Sequence, residues 1–91
     1  MRNWAGVVAV TVYTRAFCPY CTRAIALLQR KGVEVTEIDA TGCPLKRQEM
    51  VSRSGRWTFP QIFVGDTHIG GCDELHALES RGGLDSLLMG T

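Results

Sequence analysis

Between Val8 and Asp39 two β-branched runs flank one helical run, and this order restricts the possible folds more than anything else in the chain. Val8, Val10 and Val12 alternate with Ala9, Thr11 and Tyr13, the period of a strand. Cys21, Ala24, Ile25 and Leu28 then recur at i, i+3, i+4 and i+7, which predicts a helix over 20–31. Pro19 suits its first turn, where a missing N–H costs nothing. Gly32 supplies the stop, behind Arg30 and Lys31, whose charges complement the helix dipole. Residues 33–39 (VEVTEID) return as a strand with Val33 and Val35 on one face and Ile38 on the other, as in a sheet covered on both sides. Two strands joined through a helix in this way form a right-handed parallel unit.

The remaining elements are shorter. Pro44 opens a second helix that runs to about residue 53 and ends at Gly55. Its apolar stripe is thin (Leu45, Met50, Val51), which places it on the surface. Residues 60–71 (PQIFVGDTHIGG) read as a hairpin, with Ile62 to Val64 and Thr67 to Ile69 as arms and Gly65-Asp66 as the turn. A third helix is expected over 73–80, with Leu75 and Leu78 inward and Gly82-Gly83 behind it, and Leu84, Leu87 and Leu88 form a short closing helix. The order β-α-β-α-β-β-α predicts an α/β fold, a mixed four-stranded sheet with helices on both faces. At 91 residues the chain has room for one domain, residues 1–91, and not for two.

Charge and targeting narrow the function. The net charge of +1 gives no reason to expect nucleic acid as a partner. The N-terminal MRNWAGVVAVTVY has one Arg ahead of an apolar run of signal-peptide length, but it is too short to span a bilayer. Cleavage would remove the first strand, so the segment is read as part of a cytoplasmic protein without membrane contact.

Four cysteines are present, and two of them, Cys18 and Cys21, enclose Pro19 and Tyr20. A bridge between them closes a tiny loop and removes little chain entropy, so a stabilising staple is the weakest reading. Zinc needs four ligands, usually from two such pairs, whereas Cys43, Cys72, His68 and His76 are scattered singly. Thiol chemistry remains. Cys18 falls where a strand ends and a helix begins, and the helix N–H groups and dipole there stabilise a thiolate, with Arg15 adding charge. Cys18 is the expected nucleophile, uncovered at the helix tip. Cys21, one turn further on the apolar stripe, is the buried resolving thiol. Pro60 stands at a strand entry, ordinarily an edge position. A cis bond before it would turn the Phe59 N–H and C=O toward the cysteines, where an extended peptide could pair with them.

Taken in order, CPYC at 18–21, TFP at 58–60, PQIF at 60–63 and GGCDEL at 70–75, with YTRAFCPYC, RSGR and RGGLD, resemble the small bacterial dithiol glutaredoxins. The likeness covers nearly the whole chain from about Val10. It implies a thioredoxin fold, glutathione as co-substrate, no tightly bound cofactor, no metal, and reduction of glutathione mixed disulfides and protein disulfides through Cys18 and Cys21. It implies a family potential of about −200 to −230 mV, near the glutathione poise. Tyr20 would flank the sulfur, and Thr58 and Phe59 would supply backbone pairing with Pro60 cis. Gly71, Cys72 and Asp73 would hold the γ-glutamyl end through their N–H groups and the Asp73 carboxylate. Arg15 would grip the glycine carboxylate, with Arg56 and Gln61 also within reach. The family usually has Lys at the Arg15 position and Val at the Phe59 position.

The resemblance also implies partners: glutathione, glutathionylated or disulfide-bonded proteins such as ribonucleotide reductase, and glutathione reductase indirectly, with the protein a monomer. An alternative is an iron–sulfur carrier or sensor that bridges a [2Fe–2S] cluster between two subunits. Relatives of that kind most often have a CGFS-type site, from which Pro19 and Tyr20 depart. A variant reduced by thioredoxin reductase lacks the GGCDEL-type contacts. Cys43 reads as an incidental surface thiol, Cys72 as an inert cap residue, and His68 and His76 as solvated or packed. Trp4 has no assigned role, and Trp57 is a candidate contact to protein substrates.

Overall fold

Period-2 alternation along β1 (Val10–Thr14) sends Val10 and Val12 to one side of a sheet and Tyr13 to the other. The computed structural model describes residues 9–89, so Val8 and Trp4 lie outside the described residues. β1 pairs parallel with β2 (Val35–Asp39), with Val10 opposite Val35. It pairs antiparallel with β3 (Gln61–Val64), with Val10 opposite Val64, and β3 pairs antiparallel with β4 (Thr67–Gly70). The sheet order is β2-β1-β3-β4. The helices are α1 (Pro19–Arg30), α2 (Pro44–Ser54), α3 (Cys72–Ser80) and α4 (Leu84–Leu88), in the expected order.

The two faces of the sheet carry unequal cores. On one, Val10, Val12, Ile62 and Val64 meet Ala24, Leu27 and Leu28 of α1, Leu75 of α3, and Leu84 and Leu88 of α4. On the other, among the described residues, Tyr13, Phe63 and Met50 are buried together, with Ile38 and Phe59 packed against them. α2 is therefore a surface helix, as its thin stripe predicted, and Leu45 is 76% exposed. Polar contacts compensate. The Tyr13 hydroxyl donates to Glu49 and accepts from Arg53 Nη1 at 2.9 Å, and the Arg53 guanidinium lies 4.2 Å from the Phe63 ring centroid.

Three expectations are corrected. β2 starts at Val35, two residues later than expected, and lies at the sheet edge, so Val35 and Ile38, which pack on opposite faces against the two cores, are only half-buried. The buried stripe of α1 runs through Cys21, Ala24, Leu27 and Leu28, with Ile25 only partly buried, because α1 packs against α3 as well as the sheet. Lys31 does more than face a dipole. Its Nζ lies 2.6 Å from Glu79 and 3.0 Å from Asp85, tying the end of α1 to α3 and α4.

Candidate active site

Cys18 is the N-cap of α1, with extended backbone (φ −120°, ψ 95°) and Pro19 in the first turn. That geometry folds its side chain back, and its Sγ accepts the Cys21 N–H at 3.3 Å. Cys21 Sγ donates to Cys18 Sγ across 2.7 Å, near enough for a disulfide of about 2.05 Å to form with little movement. Cys18 Sγ in turn faces the Phe59 carbonyl at 3.9 Å. The expected uncovered sulfur is corrected: Cys18 is 6% exposed and Cys21 4%. The capping turn lays Cys18 against its own helix and against the loop before β3. Burial, and then the hydrogen bond with Cys18, pushes the Cys21 thiol up to about 12, so Cys21 stays a thiol at neutral pH. Phe17, immediately before the pair, is 97% exposed and has φ 57°.

The Phe59–Pro60 bond is cis, as expected. A groove of about 170 Å³ brings together Tyr20, Arg56, Phe59, Pro60, Cys72 and Asp73, and Glu74 also lines it. Six of the expected glutathione contacts thus share one depression, at the start of α3. The N–H groups of Cys72 and Asp73 belong to the first turn of α3, which has no partners for them within the helix. Thr58 is exposed next to this groove.

The other expected contacts are placed differently. Gln61 does not reach the groove. It is fully buried, its Nε2 donates to the Thr58 carbonyl at 2.9 Å and hydroxyl at 3.0 Å, and its Oε1 lies 2.7 Å from His68 Nε2. Gln61 is a positioning residue for Thr58, because as part of β3 its side chain points under the loop. The Gly71 N–H, expected for a ligand carboxylate, is already bonded to Glu74 Oε1 at 2.6 Å. A Cβ at Gly70 would lie 2.9 Å from that same oxygen, so Gly70 must be glycine for Glu74 to reach the cap. Arg56 lies at the α3 end, with Nη1 3.7 Å from Glu74 Oε1, and does not converge with Arg15. Arg15 lines a separate depression of about 680 Å³ on the β2 side, together with Phe17, Cys18 and Ile25, and its Nη1 donates to the Ala16 carbonyl at 3.2 Å.

Two supporting residues escaped the sequence reading. Glu74 falls three residues after the Gly71 N-cap, the spacing of half a capping box, so a signal existed. His68 gave none. Its ring lies 4.9 Å from Phe63, and burial, followed by the Arg56 charge, pulls it below its ordinary range, so it stays neutral and holds Gln61. Cys72 is 4% exposed and its thiol is pushed up by burial, which fits an inert cap residue. Its Sγ lies 3.4 Å from His76 Nδ1, which also faces the Cys72 carbonyl at 2.9 Å. Cys43 is half-buried at the N-cap of α2, beside a cavity of about 590 Å³ that Val51 and the exposed Trp57 also line. Among the described residues, no group of three or more His, Cys, Asp or Glu is placed to hold a metal ion.

A dithiol at a helix N-cap, facing a cis-proline loop across a β2-β1-β3-β4 sheet, defines a thiol–disulfide oxidoreductase of the thioredoxin fold. Comparisons with known proteins narrow the class. The glutaredoxin family model matches residues 10–69. Glutaredoxin 3 of Escherichia coli (strain K12) is 58% identical over 79 residues, 87% of this chain and 95% of the relative. The solution structure of glutaredoxin from Brucella melitensis superposes with a TM-score of 0.82 at 61% identity, covering 93% of this chain and 92% of that one. A buckwheat glutaredoxin solved as a complex with glutathione superposes with a TM-score of 0.80 at 26% identity, covering 89% and 76%. The chain belongs to the glutaredoxin family.

Proposed function

We propose that the protein is a glutathione-dependent oxidoreductase that removes glutathione from mixed disulfides and reduces protein disulfides. One observation carries this reading: Cys18 Sγ receives a helix N–H, has Cys21 Sγ at 2.7 Å, and faces the loop that walls a groove ending at α3. The γ-glutamyl carboxylate meets the N–H groups of Cys72 and Asp73 at the positive end of α3. Arg56 adds charge at that end, and Arg15, exposed in the depression on the other side of Cys18, reaches the glycine carboxylate on releasing the Ala16 carbonyl. The cysteinyl backbone pairs with Thr58 and Phe59 as a short added strand.

The Cys18 thiolate attacks the glutathione sulfur of a protein–glutathione disulfide. A Cys18–glutathione disulfide forms, and the protein sulfur leaves as a thiolate and takes up a proton. A second glutathione thiolate attacks the glutathione sulfur on Cys18, which releases glutathione disulfide and restores the Cys18 thiolate. With a protein disulfide, Cys18 first bonds one protein sulfur. Cys21 then gives up its proton and attacks Cys18 Sγ, which frees the reduced protein and leaves a Cys18–Cys21 disulfide for two glutathiones to reduce. Because its thiol is held protonated, Cys21 waits until the mixed disulfide exists. Such a cycle works in a reducing compartment, and we place the protein in the cytoplasm as a monomer, with glutathione reductase returning the glutathione.

The test separates the two thiols. Cys18→Ser should abolish turnover of both a small glutathione mixed disulfide and a protein disulfide. Cys21→Ser should keep most of the first activity and lose most of the second. Full activity in Cys18→Ser would sink the assignment, and reduction by thioredoxin reductase but not by glutathione would reassign the electron donor.

A further inference from the structure

We propose that Phe17 is the docking residue for an apolar side chain next to the oxidised cysteine of a protein substrate. It selects proteins over small glutathione disulfides. The inference rests on the glutathione-dependent reading above and adds the polypeptide partner to it.

Two unfavourable features coincide at this position. Phe17 is 97% exposed, so its ring buries almost nothing within the chain. Its φ of 57° is in the left-handed region, where a bulky side chain is an outlier and glycine would be free. Strain of this kind persists where function needs it. Among the described residues nothing offsets either cost, which points to an intermolecular contact made by the residue bonded directly to the nucleophile.

The location identifies the occupant. Phe17, Ile25 and Ala26 share with Cys18 and the charged Arg15 and Glu37 the depression of about 680 Å³ on the β2 side of α1, whereas the groove of Tyr20, Phe59 and Asp73 lies on the β3 side. The depression is continuous with the reaction centre through Cys18, which faces Phe59 at 3.9 Å. Glutathione consists of a γ-glutamyl, a cysteinyl and a glycyl unit and has no apolar side chain to lay on an aromatic ring. A protein substrate has such side chains, and the chain around its cysteine must cross this face once its sulfur reaches Cys18. Aromatic anchors that become buried on binding dominate recognition surfaces.

The experiment compares wild type, Phe17→Gly and Phe17→Trp on two probes, glutathionylated serum albumin and the mixed disulfide of glutathione with cysteamine. Phe17→Gly should turn over the cysteamine disulfide within about twofold of wild type, while its kcat/KM on the albumin falls about tenfold, mainly through KM. Phe17→Trp, which keeps an aromatic ring, should retain the wild-type albumin activity. Phe17→Gly should melt no earlier than wild type, since it relieves the left-handed backbone; should it fail to fold, Phe17→Asn, also tolerant of that backbone, takes its place. Equal losses on both probes, or no loss on albumin, would overturn the proposal. So would a wild-type dimer in sedimentation that Phe17→Gly dissolves, since the ring would then serve a second copy. Failure of wild type on the cysteamine disulfide would remove the glutathione reading itself.

Discussion

Cys21 ionises near 12 in the folded protein against an ordinary 9.0, with burial as the first cause and the Cys18 hydrogen bond as the second. Its folded pKa is raised, so the unfolded chain loses this proton first. The contribution to stability is complete below about pH 9 and is lost progressively as pH climbs toward 12. Cys72, also raised by burial, acts in the same direction. Urea midpoints at about pH 8.5 and 10.5 should therefore fall further for wild type than for Cys21→Ala. Equal falls would show that Cys21 is not the group responsible. In the same way, iodoacetamide at about pH 8 should leave Cys21 unmodified in peptide maps of the reduced protein. Both thiols were legible from a spacing of three behind a strand. The lesser roles were not, because they depend on which way a side chain points. Gln61 looked like a groove residue until the β3 register turned it inward, toward His68.

At the level of elements, α3 depends on one carboxylate. Glu74 accepts the Gly71 N–H at 2.6 Å, and that bond, the largest cause, holds its carboxyl below the usual carboxylate range. The folded pKa is lowered, so the stabilisation is present above the ordinary carboxylate pKa and lost as pH falls through the folded one. Glu74→Gln keeps an acceptor for the Gly71 N–H and removes only the charge, so it should cost about 0.3–1 kcal/mol at neutral pH by urea unfolding. The difference from wild type should shrink in acid. A constant difference across pH would refute the charge-assisted bond. Helix and strand positions followed from their periods to within a residue or two. The edge position of β2 did not, because alternation along VEVTEID reports the chain's own pattern and not the number of its neighbours. Nor did the anchoring of α2, whose stripe is poor because Glu49 and Arg53 reach Tyr13 from an exposed helix.

Over the whole molecule, the larger core sets the stability. Leu28 is fully buried between the sheet and the helices of that face. Leu28→Ala should cost about 2–5 kcal/mol, and the melting midpoint should drop by roughly 10 °C or more. A drop of only a few degrees would mean that the site collapses around the smaller side chain. The smaller core has a different consequence. Cys21 and Cys72 are carried by helices of the large core, whereas Phe59, which completes the reaction centre, packs against the small core of Tyr13, Met50 and Phe63, with the Arg47 guanidinium 5.5 Å from its ring centroid. The catalytic cleft thus has one firm jaw and one yielding jaw. In hydrogen exchange the amides of α2 should open well before those of α1. The Phe59 wall would then give way as a substrate chain docks over Phe17, while the sulfur it reacts with stays fixed in place.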